Sequence, residues 1–218
     1  MKELQNPKLL LFVFPFLFLL SSCLGASADI TINQNGSGSI TLEYQISQSL
    51  DALGRLDGNE RWNTIPVGRA DMERTLDRLP GMRLTSFSSR EAGRNIVISA
   101  RMEFDSIDTL LAFMDASGER SSFSGDEYSR SLTFTLSEGQ ASSNPALNTL
   151  IQNIFEPYSI RISVNLPREG LLVITDRQGN NTDVPGSEIT SSGRRVHFSF
   201  PLARVLTAQE GINAEIHW

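Results

Sequence analysis

Cysteine is nearly absent from this sequence: Cys23 is the single one among 218 residues. One thiol cannot close an intramolecular disulfide, so a fold outside the cytoplasm has to be held by packing and hydrogen bonds. Lysine is confined to Lys2 and Lys8, and histidine to His197 and His217. No His-Glu-x-x-His, Cys-x-x-Cys or paired-histidine ligand spacing occurs, which leaves no metal or cofactor motif. The formal charge is −6 and there is no basic run. That balance argues against nucleic acid as a partner and against electrostatic docking on anionic lipid. Beyond residue 8 every cation is arginine. Arginine suits bidentate contacts to carboxylate or phosphate, and codon usage in a GC-rich genome produces the same bias. Long apolar runs are missing after residue 20. The longest aliphatic one is Leu171-Leu172-Val173-Ile174, far short of the ~20 residues of a membrane-spanning helix.

What is present starts at the N terminus. Lys2 and Lys8 precede residues 9–20, which carry no polar side chain and include Pro15. A basic start, an apolar middle and small residues before a cut make a secretory signal. Twelve helical residues rise ~18 Å against the ~30 Å of a hydrocarbon core, too short for a permanent span. Leu20-Ser21-Ser22-Cys23 follows at once and reads as a lipobox. Residues 1–22 are the signal peptide, and Cys23 becomes the lipidated first residue of the mature chain, an N-acyl diacylglycerol cysteine. Lipid transfer uses cysteine because the thiolate is the strongest side-chain nucleophile. An ordinary signal peptide with an incidental cysteine, or an uncleaved anchor, is the alternative. Each buried methylene contributes ~0.8 kcal/mol, one chain anchors reversibly, and two or three anchor stably. The expected location is a bacterial cell envelope, with the domain outside the cytoplasm and tied to the membrane through Cys23. Residues 23–28 read as a short tether and 29–218 as one domain, long enough for a sizeable core.

Period-two alternation dominates that domain. Ile30 and Ile32 open a strand, Asn35-Gly36 supplies a hairpin turn, and Ile40, Leu42, Tyr44 and Ile46 return on one face. Ile96 to Phe104, Leu132 to Leu136, Tyr158 to Leu166, Val196 to Phe200 and Ile212 to Trp218 alternate in the same way. One apolar and one polar face per strand favours antiparallel pairing. Helices are predicted over 106–114 behind a Ser106 or Asp105 cap, over 145–154 behind Asn144-Pro145, over 70–79 up to Pro80-Gly81, and after Pro201 through Leu206. The predicted fold is α+β: a mostly antiparallel sheet with one polar and one apolar face, and three to four helices packed on the apolar face. Residues 95–114 and 194–206 both read strand then helix, so two similar units dividing near the polar stretch 137–144 are possible.

Catalytic constellations are missing. His197 and His217 read as surface residues of strands, or as a metal pair if those strands are neighbours. Gly36-Ser37-Gly38-Ser39 lacks the strand-to-helix setting of a nucleophile elbow and reads as a turn. Asp126-Glu127 and Asp105/Asp108 are carboxylate pairs that a turn and a helix N-terminus explain. Asn180-Asn181-Thr182 matches a glycosylation acceptor, uninformative behind a bacterial signal. The irregular segment 47–68 carries Leu50, Leu53, Leu56, Trp62 and Ile65 and reads as a core plug, or as a lid. A polar sheet face carrying Glu43, Arg101, Glu103, Arg161, Arg195, His197 and Glu215 is either ordinary solvated surface or a recognition surface.

The lipobox, the opening hairpin of Asp29-Ile30-Thr31-Ile32-Asn33 with Gly36-Ser37-Gly38, the strand–helix run 96–114 and the closing Glu215-Ile216-His217-Trp218 resemble the LppM-like envelope lipoproteins. The resemblance covers most of residues 23–218. It departs where family members often carry a C-terminal membrane helix, for which this sequence has no apolar run. It implies a non-enzymatic envelope domain with a lipid or glycolipid ligand, and it maps no functional residue except the acylated cysteine. The expected function is a membrane-anchored, non-catalytic domain that binds a lipid-like ligand or an envelope protein. The alternative is a structural or assembly subunit of an envelope complex with no small ligand.

Overall fold

In the computed structural model, the structure describes residues 23–48, 66–93, 95–115, 117–126, 128–139, 141–142 and 144–218. The elements run β1 (Cys23–Ile32), β2 (Gly38–Ser47), α1 (Arg69–Leu76), β3 (Met82–Ala92), β4 (Asn95–Phe104), α2 (Ile107–Met114), β5 (Ser121–Gly125) and β6 (Arg130–Ser137). They continue as α3 (Pro145–Phe155), β7 (Ser159–Asn165), β8 (Leu171–Thr175), β9 (Glu188–Ser192), β10 (Arg195–Pro201), α4 (Leu202–Leu206) and β11 (Ile212–His217).

The strands form two sheets, of order β3-β4-β2-β1-β7-β10-β9 and β5-β6-β11-β8. Every pairing is antiparallel except β1 with β7. The α+β class and the mostly antiparallel pairing expected from alternation are therefore observed. Register fixes one apolar face: Met102, Ile40, Ile30, Val164 and Val196 lie in one row across the long sheet, and each is at most 1% exposed. Leu132, Phe134, Leu172, Ile174, Ala214 and Ile216 of the short sheet belong to the same buried cluster, as do Met72 and Leu76 of α1 and Ile107 and Leu110 of α2. The apolar face is thus covered by a second sheet together with helices. The four expected helices are found, and Ser106 caps α2 by accepting from the Thr109 N–H at 3.2 Å.

Two expectations need revision, the tether and the list of strands. Residues 23–28, read as a tether, are the first part of β1, with Ala26 paired to both Tyr44 and Ile160. Backbone pairing on both sides orders a small-residue segment that alternation alone does not mark. At the stretch 137–144 each half of the chain contributes one contiguous block of strands to each sheet, and the blocks join through β1 with β7 and β6 with β11 around one buried cluster. Strands β3, β5, β8 and β9, the four sheet edges, lie outside the predicted strands. The edges of the long sheet, β3 and β9, have mostly exposed side chains, so no buried face imposes a pattern on them. Residues 49–65 of the segment read as a plug or lid lie outside the described residues. At its described end the Tyr44 hydroxyl donates to the Pro66 carbonyl.

Candidate functional site

The long sheet has two ends of different character. At one end β1, β4 and β7 begin and β2 and β10 finish, with Cys23 opposite Ile46 and Pro201 opposite Ser159. Here α3 and α4 pack together: Ile151 and Phe155 meet Leu202 and Ala203, rimmed by Tyr158, Ile160 and Leu206. Asn144 starts α3, its side chain accepting from the Ala146 N–H at 3.0 Å, with Pro145 at the first helical position. The Leu202 N–H donates to the Tyr158 carbonyl at 2.8 Å, which ties the two helix ends to the start of β7. The predicted lipid-attachment residue, Cys23, is the first residue of β1 at this end.

A strand advances ~3.3 Å per residue, so the ten residues of β1 carry the chain about 30 Å to the opposite end. There the β1–β2 turn, the start of α2 and the β5–β6 turn converge on a groove of about 360 Å³, lined by Asn35, Gly36, Ile107, Asp108, Phe123, Asp126 and Arg130 among others. Gly36 takes a φ of +85°, a left-handed conformation open to glycine at little cost. Asn35 Oδ1 accepts from the Ser37 N–H at 3.2 Å, completing the expected turn. Arg130 spans the floor, donating from Nε to the Asp126 carbonyl at 3.2 Å and from a terminal nitrogen to the Gln34 carbonyl at 3.3 Å. Asp126 accepts from the N–H groups of Tyr128 at 2.7 Å and Ser129 at 3.0 Å. These backbone donors hold its carboxyl below the usual aspartate range, so it is ionised at neutral pH. Asp105, read as a partner of Asp108, instead accepts from the Thr109 hydroxyl at 2.8 Å. Behind Phe123 lies Trp218, ring centroids 5.9 Å apart.

The polar face of the long sheet gathers Glu43, Arg101, Glu103, Arg161, Arg195 and His197, joined by Asp29. Glu215 belongs to the other sheet, where it accepts from the Thr175 hydroxyl at 2.7 Å. Arg195 pairs with Asp29 at 3.4 Å and Arg83 pairs with Glu103, all of them solvent-exposed. Such pairs contribute little, ~0–1 kcal/mol. The Ser163 hydroxyl and His197 Nδ1 are 2.9 Å apart across β7 and β10. Asp29 sits opposite Ser163, but its carboxylate turns to Arg195. A triad needs the acid on the far nitrogen of the imidazole, so this row does not make one. His217 lies in the short sheet, 3.6 Å from Glu215, so the two histidines are not on neighbouring strands. Among the described residues no group of three His, Cys, Asp or Glu is placed to hold a metal ion. Asn180 of the acceptor-like Asn180-Asn181-Thr182 instead donates to Asp176 from its side chain at 3.0 Å and its N–H at 2.9 Å.

No protein-family model matches this sequence, and no curated protein matches it. Among solved structures, the folded domain of LppM from Mycobacterium tuberculosis, determined by NMR, superposes with a TM-score of 0.43 at 12% identity over 88% of each chain. A likeness this coarse transfers no residue role and no activity to this chain. Among the described residues no helix is long and apolar enough to cross a membrane.

Sequence reasoning singled out Gly36, Asp108 and Asp126 separately and gave no sign that they meet. The order of the strands brings them together, and no spacing encodes that order.

Proposed function

We propose that this chain is a lipid-anchored lipoprotein of a bacterial envelope, acylated at Cys23, whose α+β domain is a non-catalytic binding module. The position of Cys23 carries the reading. The only cysteine stands directly behind an apolar leader and is itself the first residue of the first strand. The groove at the far end of β1 supports a ligand with a polar moiety, such as the headgroup or sugar of a lipid or glycolipid. Asp108, Asp126 and Arg130 offer acceptors and a cation beside the two apolar surfaces of Ile107 and Phe123. A site for an acyl chain would be lined mainly by apolar side chains. A second reading, an assembly subunit that binds an envelope protein, is favoured by β9. It is a sheet edge whose five residues are all exposed, and an open edge can accept an added strand.

The test is native mass spectrometry of the full chain purified from bacterial membranes, with Arg130→Ala beside it. Lipid or glycolipid co-purifying with the natural protein and lost from the variant supports the ligand reading. Protein free of ligand in repeated preparations overturns it and leaves the assembly reading.

A further inference from the structure

Helix α3 is apolar over more of its surface than the fold uses. At ~100° per residue, Leu150, Ile154, Leu147, Ile151 and Phe155 form one continuous arc of about 140°. Ile151 and Phe155 fill the contact with α4. Leu147, Leu150 and Ile154 continue the arc outward and are 40%, 53% and 49% exposed. The helix Pro-Ala-Leu-Asn-Thr-Leu-Ile-Gln-Asn-Ile-Phe contains no charged side chain, in a chain of formal charge −6. Both the exposed stripe and the missing charge call for an apolar, uncharged counterpart.

The path of the chain says what that counterpart is. Ala26, three residues past Cys23, is paired opposite Ile160. Phe155, the last residue of α3, is five residues before Ile160, and its ring meets Tyr158 at 6.4 Å. Cys23 itself is paired opposite Ile46. An acylated Cys23 lies only three residues before the doubly paired Ala26, so the bilayer that takes its chains lies close to the end of the sheet where α3 and α4 pack. We propose that Leu147, Leu150 and Ile154 of α3 sit in the interface of that same bilayer, as a second contact beside the lipid. This rests on the reading of Cys23 as the acylated residue. Interfacial helices commonly add lysine and arginine for anionic headgroups. Here apolar burial acts alone, and the anchor supplies the local concentration that three side chains cannot. The contact holds the domain upright, with β1 rising from the surface and the groove of Arg130 facing away from it.

The test uses the full chain, processed and purified from bacterial membranes, carrying Leu150→Cys labelled with an NBD fluorophore. It is reconstituted at about one copy per phosphatidylcholine vesicle, and flotation of the vesicles is checked first. Thr149→Cys, exposed on the opposite side of α3, is the companion. The proposal expects a blue-shifted label at 150, shielded from aqueous iodide and quenched by doxyl groups on the lipid chains. The label at 149 stays aqueous. A label at 150 as accessible to iodide as that at 149, in protein that floats, overturns the inference and leaves the anchor standing. Shielding from iodide without doxyl quenching means that another protein copy covers the stripe, and also overturns it. Protein that fails to float with the vesicles removes the anchor reading itself.

Discussion

Gly38 opens β2 at the base of the first hairpin, paired with Ile32 on one side and Phe104 on the other. A Cβ built there would lie 1.9 Å from the Thr31 carbonyl oxygen and 2.4 Å from Cζ of Phe104. The Phe104 ring is 2% exposed and cannot swing clear, and the Thr31 oxygen is backbone. Gly38→Ala must therefore open the β1–β2 pairing or displace the ring. Forcing a methyl group into a packed core costs about 1–3 kcal/mol, and each lost ladder hydrogen bond about 1 kcal/mol. The expected total is about 3–5 kcal/mol, a large share of the roughly 5–15 kcal/mol that holds a domain together. For a chain of this size that lowers the melting temperature by roughly 6–20 °C. Gly93→Ala is the comparison: φ there is +64° and nothing lies within 4 Å, so only the left-handed backbone is penalised, by about 1–2 kcal/mol. Urea unfolding followed by circular dichroism, with unchanged m values, measures both. Equal midpoints for the two variants would refute the claim that close approach, and not conformation, requires glycine at 38.

The α3 stripe makes a second prediction, since its two halves should behave differently in unfolding measurements: Ile151→Ala costs about 2–5 kcal/mol, and Leu150→Ala stays within about 0.5 kcal/mol. Phe198, fully buried beside Phe200, loses about 3–5 kcal/mol on Phe198→Ala; a smaller loss would mean that the two sheets do not share one core. Acid should weaken the fold. The Asn180 side chain and N–H lead the groups that lower the Asp176 carboxyl. At Asp115, desolvation raises the carboxyl, but the Ser117 hydroxyl and the N–H groups of Arg120, Ser117 and Ser121 outweigh it. Depressed carboxylates stabilise the fold above the ordinary aspartate value of ~3.9, and that contribution is lost as pH falls through their lower folded values. Melting temperatures should therefore drop below about pH 4, and Asp176→Asn should flatten the drop. A profile identical to that of the natural protein removes Asp176 from the account.

Much of the fold was legible because one buried face leaves a period of two. Ile30, Ile40, Met102, Val164 and Val196 are each read correctly as inward from their neighbours alone. The helices were legible from caps and spacing, Ser106 and Asn144-Pro145 above all. Alternation says which face is buried but not against what, so the second sheet was hidden. The parallel union of β1 with β7 was hidden as well, because it joins segments more than 130 residues apart. Met82–Ala92 and Glu188–Ser192 are edge strands that bury little and so leave no pattern. At the end of the sheet that carries Cys23, the helix predicted over 145–154 repeats Leu147, Leu150, Ile151 and Ile154 at helical spacing, which reads as one stripe packed on the apolar face. Packing on α4 uses only part of it.

The proposed acylation of Cys23 is the point on which location, orientation and the role of α3 all rest. Peptide mass spectrometry of the full chain recovered from a bacterial membrane reads it directly. The account predicts a mature N-terminal peptide that starts at residue 23 and carries the mass of a diacylglycerol, with or without a further acyl group. A peptide that carries residue 23 as an unmodified cysteine would contradict it.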